Sequence, residues 1–303
     1  MKNQENAMFE AIVIGGGFAG LSATMYLARA RRRVLLVDAG EPRNRFADAS
    51  HGFLGMDGKS PAAIRTAGRA ELAAYDNVSF FDGKAVDAVE EEEGFTITMN
   101  DGRTEQAPRL VLATGVADIL PEIDGLAQRW GKSVLHCPFC HGYEFRDRPL
   151  GVLATGPASA HQGDLIPDWG PTTYFTQGKF EPSEEELQRF AQRGVIIERT
   201  PVIELLGDAP HLEAARLADG RTVPLAALYT APKLKMASPL AGKLGCEFAD
   251  GALGPYLLVD DMKQTNVPGV FAAGDMTMQI HSALLASSAG MMAGVAAYRS
   301  LVA

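Results

Sequence analysis

The chain has 303 residues, 47% of them hydrophobic and 21% charged, with a formal net charge of −9. That composition describes a folded globular protein with room for two domains and excludes a disordered chain. The acidic balance excludes nucleic acid or an anionic membrane surface as the main partner, because both reward clustered Lys and Arg. Three cysteines, Cys137, Cys140 and Cys246, are too few and too odd in number for a secreted disulfide scaffold.

Met1 to Ala7 is polar, and the apolar run Ala11 to Ile14 meets glycine at once. No signal-peptide core of about 7–15 apolar residues can be built there, so a cytoplasmic location is expected. Ala11 to Ile14 reads as a buried strand entering the turn Gly15-Gly16-Gly17-Phe18-Ala19-Gly20. Leu21 to Ala30 then reads as a helix, and Val34 to Val37 as a second strand ending at Asp38, 18 residues after Gly20. Gly15 permits the tight turn, Gly17 lets backbone approach a pyrophosphate, and Gly20 lets helix and strand pack closely. The helix N-terminus turns N–H groups toward the phosphates, and Asp38 suits a ribose hydroxyl. His51, in Ser50-His-Gly-Phe53, reads as a packed loop histidine, with approach to a cofactor as the other reading.

Val86 to Val89, Phe95 to Met99 and Leu110 to Ala113 read as strands. The run Glu90 to Glu93 is a solvated hairpin tip, and Asn100-Asp101-Gly102 is a turn. Ala113, Thr114 and Gly115 close this stretch with small residues that admit a bound cofactor. The plan then recurs. Gly151 to Ala160 lays down a second strand and turn, and Asp219-Gly-Arg-Thr222 repeats Asp101-Gly-Arg-Thr104. The second copy is degraded, with Ala154 at the first glycine position, Gly156 kept and Ser159 at the third. Gly163, Pro167 and Gly170 leave room for only a short helix after it.

Val267 to Asp275 reads as an extended strand ending in Gly274-Asp275, and the uncharged stretch Met276 to Tyr298 as a buried helix rather than a membrane span. The expected fold is α/β: two Rossmann-like three-layer nucleotide-binding domains, the second inserted into the first. Residues 1–116 and 248–303 would form the discontinuous cofactor domain, and 117–247 the insert.

Leu135-His-Cys-Pro-Phe-Cys-His-Gly-Tyr-Glu144 carries the chemistry. A Cys-x-x-Cys pair at a helix start forms a small, strained and easily reduced disulfide ring, and the helix dipole lowers a thiol pKa. His141 can manage protons as thiol and thiolate interconvert. Three other readings stand beside this one. A c-type haem attachment would need export and a compact helical fold. A zinc site from His136, Cys137, Cys140 and His141 would ask adjacent residues to share one tetrahedral ion. Structural cysteines would sit oddly in a segment rich in Gly and Pro. No metal is expected, and Cys246 reads as a small buried hydrophobe.

Together the Gly15–Gly20 turn, Ala113-Thr-Gly115, Cys137-Pro-Phe-Cys-His-Gly-Tyr-Glu144 and Val267–Asp275 make the chain resemble the low-molecular-weight thioredoxin reductases over nearly its whole length. The resemblance implies FAD, an inserted pyridine-nucleotide domain bearing the redox disulfide, and a homodimer. By it, Gly15, Gly17, Phe18, Ala19, Gly20 and Asp38 would hold the ADP half of FAD. Gly274 and Asp275 would meet the ribityl or pyrophosphate part. Met276 to Gln279 and Ile280 would lie along the isoalloxazine. Cys140 would be the flavin-proximal sulfur and Cys137 the interchange thiol, with a thioredoxin-like protein or a small dithiol or disulfide as partner.

Two positions depart from that family. His141 stands where aspartate is usual, which is similar to the thioredoxin reductase-like dithiol oxidases that close disulfides in gliotoxin- and holomycin-type natural products. After the expected strand Thr172 to Phe175 come Thr176-Gln-Gly-Lys179, with no Arg pair for a 2′-phosphate and no acid for a free ribose. The residues for NAD(P)H are therefore incomplete. The function expected is FAD-dependent thiol–disulfide exchange of the thioredoxin reductase type. A dithiol oxidase without a working NADPH site, and a flavin redox sensor without turnover, are the alternatives.

Overall fold

A computed structural model describes residues 8–303; Met1 to Ala7, on which the expected cytoplasmic location rested, lies outside the described residues. The chain divides into two compact units. The first comprises the chain up to Arg45, Ala62–Ala117 and Lys235–Ala303; the second comprises Phe46–Pro61 and Asp118–Leu234. The return crossing thus falls at Lys235, not near 248. The excursion Phe46–Pro61, absent from the expected boundaries, joins the second unit because its contacts are made there.

In the first unit five parallel strands lie in the order Val270–Ala272, Leu110–Leu112, Ala11–Ile14, Val34–Asp38 and Val78–Asp82. Ile12 is paired with Leu35 on one side and Leu110 on the other, so this apolar strand is buried on both edges and faces. Only Val270–Ala272 of the expected Val267–Asp275 strand is paired, since Pro268 has no N–H to donate and Gly269 turns the chain at φ +83°. A separate antiparallel sheet joins Ala85–Glu91, Gly94–Met99 and Thr104–Ala107, with Glu91 to Glu93 exposed at the tip.

The first helix runs Phe18–Arg29, starting three residues earlier than the sequence reading because the glycine turn itself supplies its first turn. The C-terminal helix, Ala283–Val302, occupies the later part of the uncharged stretch, after a 3-10 turn at Asp275–Thr277. Ala19, Ala23 and Leu27 pack with Ala286, Ala289, Ala293 and Ala297 over Val13, Leu36 and Val111. Each fully buried Val or Leu there contributes about 1.5–3 kcal/mol.

The second unit repeats the plan. Its parallel sheet orders Ile196–Glu198, Thr172–Phe175, Leu150–Leu153, Ala227–Thr230 and Val134–Leu135. Its antiparallel sheet joins Val202–Leu206, Ala214–Leu217 and Thr222–Pro224. The likeness reaches single hydrogen bonds. Arg103 N and Nε donate to Asp101 at 3.0 and 2.7 Å, and Arg221 N and Nε to Asp219 at 3.1 and 2.7 Å. The fifth strand differs in origin: in the first unit it comes last in the chain, in the second it comes before all the others.

Candidate active site

In the first unit, Gly15 adopts φ +113°, a conformation L side chains rarely take, and a Cβ there would run into the carbonyl of Ala113. Gly15 N donates to Val37 O and Ala113 N to Ile14 O, both at 2.8 Å, which fixes the turn at the ends of three strands. Gly17 begins the first helix with no side-chain cap, and a Cβ on it would meet no described atom within 4 Å. The first-turn N–H groups therefore border open space, the arrangement a pyrophosphate needs.

Asp38 braces this turn. Its Oδ1 accepts from Gly16 N (3.2 Å) and Gly40 N (3.0 Å), and its Oδ2 from Arg65 Nη2 (2.6 Å). Arg65, on the helix Pro61–Leu72, also donates through Nε to Gly16 O at 3.0 Å. A carboxylate offers about four lone-pair sites, so one remains for a ribose hydroxyl. Across the unit, Arg43 Nη1 lies 3.4 Å from Asp275 Oδ2 and 2.7 Å from His281 Nδ1. Because Arg can only donate, Nδ1 accepts, and Nε2–H donates to Met278 O at 3.0 Å. Thr114 Oγ1 donates to Met276 Sδ at 3.6 Å. Gln279 faces Gly251, and Ile280 is exposed. Arg43 and Arg65 escaped the sequence reading; neither belongs to a motif, and each acts over a span of 27 residues or more.

The cysteine pair belongs to the second unit. Cys137 caps the single helical turn Pro138–His141, with Pro138 at its start, where the missing N–H costs nothing. Cys140 N donates to Cys137 O at 3.3 Å. Both thiols are free and half-buried. The Cys140 thiol donates a hydrogen bond to the Cys137 sulfur, and the backbone N–H groups of Cys140 and Phe139 add to it, against the cost of burial. Cys137 is therefore held below the ordinary thiol range. Cys140 is pushed above it, by that same bond, by burial and by the charge on Cys137. Of the two, Cys137 is the thiol more readily ionised. Burial lowers the His141 pKa below its usual 6.5, and His51 reinforces this, while Glu144 and Asp48 partly oppose it. At neutral pH His141 is a neutral imidazole able to accept a proton. Cys246, in the first unit, is a buried thiol 3.8 Å from Thr265 Oγ1.

The excursion Phe46–Pro61 brings His51 to the same place. Its Nε2 lies 3.5 Å from Glu144 Oε1 and its Nδ1 3.4 Å from Asp57 Oδ2. Its ring stands edge-on to His141 with centroids 6.2 Å apart. Asp48 pairs with Lys132, anchoring the excursion. A reading of His51 as only a packed loop histidine is thus too small.

The second glycine turn is filled from within. Ser159 is buried, and its Oγ accepts from Thr155 N at 2.9 Å and Gly156 N at 3.3 Å. Thr155 Oγ1 donates to Ala231 O at 2.6 Å. The helix that follows, Ala160–Leu165, has six residues. Past the strand Thr172–Phe175, Gln177 takes φ +56°, and its side-chain amide is spent on Val202, accepting from N at 2.7 Å and donating to O at 3.3 Å. Two arginines that the sequence reading missed, Arg199 and Arg221, come from neighbouring strand ends. Arg199 pairs with Glu181, and Arg221 with Glu198 and Asp219.

A family model described as pyridine nucleotide-disulphide oxidoreductase matches residues 9–157. The chain is 32% identical to thioredoxin reductase tcpT of Claviceps purpurea, over 97% of this chain and 94% of that protein. The chain belongs to the thioredoxin reductase family. Another relative, thioredoxin reductase sirT of Leptosphaeria maculans, is 31% identical over 95% of this chain and 93% of its own length. Among solved structures, an oxidoreductase from Agrobacterium tumefaciens superposes with a TM-score of 0.93 at 46% identity, covering 98% of this chain and 99% of that one. HlmI superposes with a TM-score of 0.90 at 35% identity, covering 100% and 94%.

As a member of the thioredoxin reductase family, the chain is a thiol–disulfide oxidoreductase, and the family implies a flavin. The open first turn fits the phosphates of a flavin dinucleotide. The second does not fit a pyridine nucleotide in the same way, since the N–H groups that would meet its pyrophosphate already bond to Ser159 Oγ. Among the described residues no helix is long and apolar enough to cross a membrane, and no group of three His, Cys, Asp or Glu is placed to hold a metal ion.

Proposed function

We propose that this thioredoxin reductase-type protein is FAD-dependent and runs toward dithiol oxidation. The observation that carries the direction is the Ser159 hydroxyl in the second turn: the first turn is open to a dinucleotide, and the second is closed by its own side chain. Gly17 and the first-turn amides would hold the pyrophosphate of FAD, Asp38 a ribose hydroxyl, and Asp275, steadied by Arg43, the ribityl part. When bound, FAD would take the electron pair from the reduced cysteines and pass it to an external acceptor such as dioxygen.

The remaining steps belong to the chain. A substrate thiol gives its proton to His141, and its thiolate attacks Cys137 Sγ of the oxidised pair. The Cys137–Cys140 bond breaks, a mixed disulfide forms on Cys137, and Cys140 leaves as the thiolate. The second substrate thiol, on losing its proton, attacks the substrate sulfur of that mixed disulfide. The substrate disulfide closes, the mixed disulfide bond breaks, and Cys137 leaves as the thiolate with the electron pair of that bond. Two thiol protons are released and two electrons stay on the cysteines. The expected substrate is a small dithiol or a thioredoxin-like dithiol protein; a homodimer and a cytoplasmic location complete the proposal.

A second reading, a reductase driven by NAD(P)H, is favoured by Arg199 and Arg221 beside the strand end Thr172–Phe175. Anaerobic titration of the flavin-loaded protein separates the readings. Bleaching by dithiothreitol but not by NADPH or NADH supports dithiol oxidation. Rapid bleaching by either nucleotide rejects it in favour of the reductase, and no bleaching by any donor leaves only a sensor.

A further inference from the structure

His51 is 90 residues from His141 in sequence, yet the excursion Phe46–Pro61 sets the two rings edge to face within one unit. Its surroundings are not those of a filler. A carboxylate stands at each ring nitrogen, Glu144 at Nε2 and Asp57 at Nδ1. Asp57 is also built in, because its Oδ1 accepts from Gly52 N at 2.9 Å, which fixes the carboxylate relative to the ring one residue away. Glu144 lies three residues after His141, so the helical turn and the 3-10 turn behind it put both on one side. Asp57 is the most exposed of the three, its side chain 67% exposed against 41% for Glu144 and 23% for His51.

We propose that His51 is a positioning residue of the redox centre, which with Glu144 and Asp57 forms the proton outlet from His141 to solvent. This rests on the thiol chemistry proposed above. Oxidation of one dithiol delivers two protons to a buried imidazole that follows the attacked pair directly. His141 must shed the first before it can accept the second. Glu144, 3.5 Å from His51 Nε2 and close enough to His141 for its charge to act on that ring, takes the proton from His141. His51 then passes it on, gaining it at Nε2 and losing it at Nδ1 to Asp57. No electron moves in these transfers: Asp57 releases the proton to solvent, His141 and Glu144 return to their starting forms, and His51, left with its proton on Nε2 instead of Nδ1, regains the first tautomer by exchange with water.

The charged and titratable groups around the outlet are few. The charges acting on His141 are those of Glu144, His51 and Asp48, and its backbone carbonyl accepts from Tyr229 at 3.4 Å. His51 faces Asp57, Glu144 and His141. Asp48 is paired with Lys132. A slowed outlet therefore has an identifiable remedy, a small diffusible base.

The test is stopped-flow bleaching of the flavin-loaded protein by dithiothreitol, for the wild type, His51→Gln and Asp57→Asn, against pH and added imidazole. Asp57→Asn keeps an oxygen for Gly52 N and removes only the charge. Both variants should bleach about tenfold more slowly in dilute buffer and regain most of the rate with imidazole, to which the wild type is indifferent. Variants with the wild-type rate, or slow variants that imidazole does not help, overturn the proposal. If the wild type is not bleached, the direction of the proposed reaction fails separately. The same imidazole comparison is then made on reduction of 5,5′-dithiobis(2-nitrobenzoic acid) by the reduced pair, which must also release thiol protons. Imidazole-rescued slowing of the variants there retains the outlet, and its absence rejects it.

Discussion

Cys137 and Cys140 are three positions apart and chemically unlike. One sulfur accepts a hydrogen bond and is held below the ordinary thiol range; the other donates it and is pushed above. Removing the donor should remove most of that difference. Cys140→Ala is expected to move the pH midpoint for alkylation of Cys137 by iodoacetamide up toward the ordinary thiol value of about 8.5. A midpoint that stays put would mean that something other than Cys140 activates the nucleophile. In the proposed reaction His141 would set the acid side. Its pKa is lowered by burial, so the neutral base is present above a midpoint below 6.5 and is lost as pH falls through it. Bleaching by a dithiol should decline across that window in the wild type. His141→Ala should be slower by roughly 10²-fold at neutral pH, with that acid limb gone and the flavin retained. Loss of the flavin would instead make His141 structural.

At the scale of elements, the two turns differ in what occupies them. Ser159→Ala leaves the part-buried N–H groups of Thr155 and Gly156 without the hydroxyl, a loss of about 0.5–1.5 kcal/mol. The variant should then be stabilised by millimolar pyrophosphate or ADP-ribose in a thermal melt, while the wild type is not. Equal responses would show that Ser159 is not what closes the turn. The two long helices of the first unit meet through Gly290 and Gly294. A Cβ at Gly290 would run into Ala19 O, and one at Gly294 would come within 2.6 Å of Ala23 O. Backbone cannot rotate away as a side chain can, so Gly290→Ala should destabilise by about 1–3 kcal/mol in denaturant unfolding. A neutral result would mean that the helices separate freely.

At the scale of the whole molecule, the proposed flavin cradle and the cysteine pair lie in different units and should fail separately. Gly17 has φ −76° and open space where a Cβ would stand, so Gly17→Val should fold with stability within about 0.5 kcal/mol of the wild-type apoprotein. It should nevertheless not take up FAD, and its Cys137 should alkylate as before. A variant that unfolds, or one that keeps its flavin, contradicts the cradle. What the sequence disclosed follows the same division. The glycine turns, the cysteine pair and the repeated Asp-Gly-Arg-Thr hairpins are local, and spacing alone carries them. Arg43 and Arg65 were invisible because their partners are 27 or more residues away, and His51 was legible only as a loop histidine because no periodicity announces its meeting with His141. Ser159 was read only as a missing glycine, since a replacement does not reveal where its hydroxyl will point.

The excursion Phe46–Pro61 also limits how this protein can be recombined. Residues 118–234 look like a movable cassette, bounded by two crossings and carrying both reactive sulfurs. Transplanted alone, that cassette would leave behind Asp48, the counterion of Lys132, and His51, the neighbour of Glu144. A chimaera that exchanges the insert must therefore exchange a second, shorter piece from inside the other unit's sequence. Lineages that shuffle these halves should be expected to inherit the two pieces together.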